Sequence, residues 1–585
     1  MPDTWRDIAA RKQKERTERI PKAWLLQSAA SSPKAKGTTI LNVPRECGIL
    51  TTEEIRITEE YDATALSREL ASGKLRSVDV VTAFCKRAAI AQQLTNCLTE
   101  IFFDAAIVRA RELDEHFTKT GKPKGALHGL PISIKDTFKV KSYDASIGIA
   151  SLCFKPATTN SALVEVLIEQ GAVLFCKTNI PQTMMALDSH NNVFGRVLNP
   201  ANGDLTPGGS SGGEGALVAI RGSALGIGTD VGGSIRIPAM CNGLVGFKPS
   251  HGRVPYAGQE GGLPAGSSKL AIESTAGPIA RTVRDCELLL RAVGSGKPWL
   301  FDPDVVPQAW DEQAALHMLG PSNKAQKPLR VGIVRTDGHS SPLPPIQRLL
   351  EDVSQTLRSS VSPRGAIEVV DLDIASLAMQ CVKTFNGIMS IDGASTWLDL
   401  LDKTGEPLSP WLQTRLRRRP QKSLDEVRKL QAQMTDLRTR FLDIWSERGG
   451  YWLTADSKAK KGDKALDVII CPVAPHPIPP VDRWNSTNYT SAFNLLDYPA
   501  GVLPVRTFGE ADLEGELPQS SPLNGWDKIN RELWTNVNRK AYLGSPLSVQ
   551  IVAPKLMDRK LIDAMAVLET TFASVKPSTS KASKL

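Results

Sequence analysis

Residues 207–238 read PGGSSGGEGALVAIRGSALGIGTDVGGSIRIP. Within this run Ser210 and Ser234 each follow a glycine and stand 24 positions apart. Upstream, Lys135 lies in the apolar segment GLPISIKD at 129–136. Two hydroxyls and an amine brought to one place can attack a carbonyl carbon with neither histidine nor metal, and no cofactor is called for. A serine is a weak nucleophile until a base removes its proton. A lysine can be that base only when uncharged, a state that burial favours. Gly232 and Gly233 add a further element, because their unencumbered backbone N–H groups can close on a developing oxyanion.

Simpler readings of a glycine-rich run fail on its context. A flexible linker would not be hemmed by apolar helix and strand patterns on both sides. A phosphate loop needs GxxxxGK[ST]; GSGKP at 294–298 lacks the leading glycine and the hydroxyl after lysine. A dinucleotide fingerprint needs an apolar strand running into Gly208, which is missing. Gly208, Ser210 and Gly212 do satisfy the G-x-S-x-G of a nucleophile elbow. That motif requires a strand before the serine, whereas ANGDLTP at 201–207 is polar and ends in proline. Of the later histidines, none of His251, His317, His339 and His476 stands in the setting of a catalytic base.

Outward from this run the pattern alternates between helix and strand. EGALVAIRG (214–222) reads as a helix that opens directly after glycines. AVLFCKT (172–178), LRVGIVRTDG (329–338), IEVVDLDI (367–374) and ALDVIICPVAP (465–475) join GLPISIKD as short apolar runs suited to buried strands. Leu66, Leu70, Val78, Val81 and Phe84 mark helical spacing through 64–92, and Leu430, Met434, Leu437, Phe441, Ile444 and Trp445 give a later helix one apolar face. These elements predict an α/β fold in a single large domain at 61–572. A helical insertion is expected at about 375–460. Residues 1–60 are expected to form a helical arm burying Trp5, Ile8, Ile20, Trp24 and Leu25, and 573–585 a flexible tail.

At 585 residues, with 41% hydrophobic and 23% charged positions, the composition excludes a mostly disordered or fibrous chain. The net charge of +9 is modest and scattered; the densest cluster, RLRRRP at 415–420, reads as a solvated helix end, and no nucleic-acid module is evident. Nine cysteines without paired spacing point to reduced thiols. No stretch reaches the ~18 consecutive apolar residues of a membrane span, and the N-terminus lacks a signal-peptide core. Ser583, Lys584 and Leu585 close a polar tail and read as a peroxisomal address for an import receptor; otherwise the expectation is cytoplasmic.

The segment 207–253 resembles the amidase signature, and GLPISIKD resembles that family's lysine motif. KTNIPQTMMALDSHNNVFGRVLNP (177–200), NLLDYPAGVLPV (494–505) and GSPLSVQIVAP (544–554) are similar to further blocks of the family, in its order. Most of 60–300 and 465–570 is covered, most like fungal acetamidase-type members and, more distantly, fatty acid amide hydrolases. The resemblance implies a Ser–cis-Ser–Lys triad on a large mixed, mostly twisted β-sheet flanked by helices. Ser234 would be the acylated nucleophile, Ser210, after a cis peptide, the proton relay, and Lys135 the ultimate base and acid. It also implies oxyanion amides from Val231, Gly232, Gly233 and Ser234, and a backbone contact to substrate at Met184. The implied reaction is hydrolysis of a small-molecule amide to an acid and ammonia or an amine.

Neighbouring readings stay open at this point. A lipid amide hydrolase would line an acyl channel with Trp397, Leu398, Leu400, Leu401 and Trp411 of the insertion, for which ordinary core packing is the plainer role. An amidotransferase subunit would need partner subunits. A non-catalytic binding protein has no use for Lys135 together with both serines. The amide's identity and the oligomeric state, a homodimer included, are left open.

Overall fold

PISIK (131–135), VLFCKT (173–178) and VIICP (468–472) are apolar at most positions, as strands covered on both faces are. The computed structural model describes residues 3–27, 39–263, 272–315, 328–362, 365–446, 451, 465–483 and 487–573. In it these three strands are buried throughout. They belong to one twelve-stranded sheet. From edge to edge it runs Leu98–Ile101, Val173–Thr178, Pro131–Lys135, Leu225–Asp230, Thr275–Ala280, Val245–Lys248, Ala500–Thr507, Pro546–Val552, Val468–Pro472, Leu329–Val334, Gly365–Leu372 and Val361–Ser362. Pro131–Lys135 pairs in parallel with both neighbours, and so does Leu329–Val334. The strands between these two groups, and both edge strands, pair antiparallel. The expected α/β class with one mixed sheet flanked by helices is the fold the chain adopts.

The helical insertion packs as its spacing implies. Leu424–Ser446 buries Met434, Leu437, Phe441, Ile444 and Trp445 in a core shared with Leu377, Cys381 and Phe385 of the helix Ala375–Met389. The pattern through 64–92 is not one helix. Ala63–Ala71 and Ser77–Thr95 are separated at Gly73, whose φ of 73° a continuing right-handed helix cannot hold. RLRRRP is likewise not a helix end. It lies in a turn and loop after the short helix Pro410–Gln413, with Arg418 paired to Asp399 and Asp402 and Arg415 stacked on Trp411.

The arm's helix, Trp5–Glu18, starts at a capping box between Thr4 and Asp7. It lies along the sheet edge, where Arg16 donates to Leu98 O at 2.7 Å and Lys12 reaches Glu100 at 2.5 Å and Asp144 at 2.8 Å. Ile20 is buried and Trp24 packs on Phe103, but Leu25 is 43% exposed, so it does not share that burial. All nine cysteines are free and eight are buried. Among the described residues no helix is long and apolar enough to cross a membrane. Ser583, Lys584 and Leu585, and His317, lie outside the described residues.

Candidate active site

Lys135 ends a strand, while Ser210 and Ser234 stand in turns that lead into helices. Lys135 is the last residue of Pro131–Lys135, with its side chain fully buried. Ser210 follows a cis peptide from Gly209 and stands two residues before the helix Gly212–Ala219, which opens two positions earlier than Glu214. Ser234 lies in the turn between Leu225–Asp230 and the helix Arg236–Asn242. Gly209 is needed here because a Cβ would stand 2.7 Å from Ala186 O. Gly233 has a φ of 131°, and a Cβ there would meet Thr490 Oγ1 at 2.5 Å.

Lys135 Nζ donates to Ser210 Oγ at 2.7 Å and to Thr229 Oγ1 at 2.8 Å. The Ser211 N–H donates to Ser234 O at 3.3 Å, joining the two serine segments through the backbone. Both serines are buried. No Ser210–Ser234 side-chain hydrogen bond forms among the described residues; such contacts are often long before substrate arrives. Beneath this group, Glu214 accepts from Ser133 Oγ at 2.6 Å and Thr178 Oγ1 at 2.8 Å. Burial pushes its carboxyl up to about 8, against those two bonds.

The turn bearing Ser234 is shaped by Asp230. Its Oδ1 accepts the Gly233 N–H at 2.8 Å and its Oδ2 the Ile235 N–H at 3.1 Å. The Gly233 amide is thus committed within the turn, and it can reach a substrate oxyanion only by sharing its proton. Of the four amides expected at Val231, Gly232, Gly233 and Ser234, that of Gly233 already has this partner. Arg236 holds Asp230 from behind and also donates to Thr490 O, Gln550 Oε1 and Asn494 Oδ1, at 2.9, 2.6 and 2.6 Å. Thr490 Oγ1 donates to Gly232 O at 2.6 Å, and Phe385 of the insertion lies over Gly232, 3.3 Å from where its Cβ would be. Val231, half-buried, packs against the core that includes Phe385.

Met184 closes the turn Gln182–Met184, on the segment whose next residues, Ala186–Asp188, lie against Gly209. It packs in an apolar cluster with Ile147, Ile180, Trp397, Leu398, Leu400 and Leu401. Trp411 does not join that cluster and packs apart, with Ala186 and Leu412.

The amidase profile matches residues 79–562, a span containing Lys135, both serines, Asn494 and Gln550. This chain belongs to the amidase family. It is similar to the acetamidase of Aspergillus oryzae, 36% identical over 568 residues, 96% of this chain and 98% of that protein. It is similar also to the acetamidase of Emericella nidulans, 35% identical over 565 residues, 96% and 97% of the two chains. The solved structure of a fatty acid amide hydrolase superposes with a TM-score of 0.83 at 28% identity, covering 97% of this chain and 95% of the other.

Several residues that build this amidase site escaped the sequence reading. Thr229, Asp230 and Arg236 lie inside the quoted run as GTDVGGSIR, and an acid and a base on either side of a glycine pair were a usable signal. Gln550, a polar residue in the apolar run PLSVQIVAP, was another. Asn494 carries no comparable mark. Among the described residues no group of three His, Cys, Asp or Glu could hold a metal ion.

Proposed function

We propose that this amidase hydrolyses a carboxylic acid amide through an acyl-enzyme on Ser234, with Ser210 as relay and Lys135 as base and acid. The supporting observation is the 2.7 Å bond from a fully buried Lys135 Nζ to Ser210 Oγ, beside the glycine turn that holds Ser234. A neutral Lys135 takes the Ser210 proton as Ser210 takes that of Ser234. Ser234 Oγ bonds to the amide carbon, and the carbonyl electrons move to oxygen. The N–H groups of Val231, Gly232 and Ser234 meet that oxyanion, with Gly233 shared between it and Asp230. The C–N bond then breaks as the stored proton returns through Ser210 to the departing amine. Water, deprotonated by the same chain, releases the acid and frees Ser234.

The acetamidase relatives favour a small aliphatic amide, with longer acyl groups as the alternative within the same chemistry. Turnover of a graded series, from acetamide to long-chain amides, measured for the wild type and Ser234→Ala, tests the reading. The expected result is loss of all hydrolysis in the variant, and wild-type turnover by Ser234→Ala overturns it. Peroxisomal import through Ser583–Lys584–Leu585 is part of the proposal. It is tested by fusing a fluorescent protein to the last twelve residues, with a diffuse signal counting against it.

A further inference from the structure

Glu406, from the insertion, is a buried carboxylate that none of the acyl-transfer steps uses. Its Oε2 accepts the Ala150 N–H at 2.8 Å, and its Oε1 accepts Gln182 Nε2 at 2.5 Å and Asn192 Nδ2 at 3.3 Å. The same segment grips Gln182 twice more. Gln182 Nε2 donates to Pro407 O at 3.0 Å, and its Oε1 accepts the Ser409 N–H at 2.8 Å. Both ends of one amide side chain are therefore fixed by residues 406–409.

This grip acts on the two residues after Gln182. Thr183 and Met184 have φ values of 64° and 62°, a left-handed region that such residues keep only where their surroundings fix them. The Thr183 hydroxyl is itself buried without a hydrogen-bond partner, so the turn is anchored through Gln182. Met184 then packs with Ile147, Ile149, Ile180 and Trp397 in one apolar cluster. Two contacts tie that cluster to the segments bearing Lys135 and Ser210. The Ile147 N–H donates at 2.6 Å to Asp136, the residue after Lys135, and the backbone of Ala186–Asp188 lies against Gly209.

Taking Ser234 as the nucleophile, we propose that Glu406 is a positioning residue that sets which acyl groups this amidase accepts, by holding Gln182 and with it the Thr183–Met184 turn. A carboxylate suits the task because its two oxygens together take three donors, whereas a glutamine in its place would turn an N–H toward one of them. The selectivity of the enzyme thus depends on a segment outside the signature.

The test compares wild type, Glu406→Gln and Gln182→Ala on acetamide, butanamide, hexanamide and a long-chain fatty amide. Alongside, the rate at which a small organophosphorus reagent labels Ser234 reports the acyl-transfer machinery without an acyl pocket. Both variants are expected to raise KM for the longer amides roughly tenfold or more, with kcat and the labelling rate changing by a smaller factor. The double variant should be no worse than the weaker single one, since both remove the same grip. An unchanged chain-length profile overturns the proposal, as does an equal loss on every amide and in labelling, which marks a merely structural role. Failure of the nucleophile assignment reads differently: wild-type Ser234 would take no label and Ser234→Ala would still turn over.

Discussion

Arg236 grips Asp230 through two nitrogens, Nε to Oδ2 at 3.0 Å and Nη2 to Oδ1 at 2.9 Å, with both side chains wholly buried. Burial opposes the charge on Asp230, but the charge and bonds of Arg236, with Lys248 and Asn494, outweigh it and hold the carboxyl well below the usual range. The stability this gives is present at every pH above the unfolded value of ~3.9 and is lost only as pH falls through the lower folded value. The clamp on the Ser234 turn therefore stays charged throughout any working pH.

Arg236→Ala should leave Asp230 buried and unpaired, at a cost of about 3–5 kcal/mol. Arg236→Lys keeps a charge but not the planar fork that serves Asp230, Asn494 and Gln550 at once. It should lose less stability and still lower kcat, by roughly 10²-fold through misplacement of the turn. Urea denaturation and steady-state kinetics on the two variants separate these effects.

Lys135→Ala should lower kcat by roughly 10²–10⁴-fold, the usual worth of a general base. Its residual rate should rise with pH as hydroxide takes over part of that work. Thr229→Val, which removes the second acceptor of Lys135 Nζ, should cost about tenfold. Rate–pH profiles of the three enzymes check this. A Lys135→Ala rate equal to wild type at neutral pH would remove the lysine from the mechanism.

Glu214 gives a pH dependence of opposite sign to Asp230. Its folded value, pushed up to about 8 by burial, lies above the unfolded ~4.3, so the native state binds the extra proton. Stability should therefore fall as pH rises from about 4.3 to about 8, by an amount on the order of a few kcal/mol. Glu214→Gln, which can still bond Ser133 and Thr178, should flatten that slope. Denaturation midpoints of the variant and wild type at pH 5 and pH 8 give the comparison.

Lys12 carries the arm's claim on the sheet. Burial works against its charge, and Glu100 and Asp144 overcome this and raise the amine above its ordinary range. Lys12→Met should leave buried Asp144 without its cation and Glu100 with Arg19 alone, and cost about 3–5 kcal/mol. Deleting residues 1–27 should do the same while sparing the Lys135–Ser210 bond. Thermal melts, with Ser234 labelling as the check on the site, decide it.

Much of the fold was legible because buried strands such as Pro131–Lys135 and Val468–Pro472 write their environment into consecutive apolar residues. The break at Gly73 was missed because Leu70 and Val78 keep helical spacing across it, and spacing is blind to one left-handed residue. The RLRRRP loop was misread because a charge run says only that a segment is solvated. Lys135, Ser210 and Ser234 were singled out as candidates by motifs that are local in sequence, and Met184 by the resemblance alone. Glu406 was not, because its partners Ala150, Gln182 and Asn192 are more than two hundred residues away and nothing in GEPLSP marks a buried acid.

The sequence by itself determined the α/β class, the candidate groups Lys135, Ser210 and Ser234, and the glycines that let backbone approach backbone, since each depends on residue type and near neighbours. Only the tertiary structure decided that Asp230 takes the Gly233 amide, that Arg236 is satisfied by residues up to 314 positions distant, and that the insertion supplies Phe385 and Glu406. Such contacts arise when far segments are packed together and each buried polar atom must find a partner. No local pattern in the chain records which partner that will be.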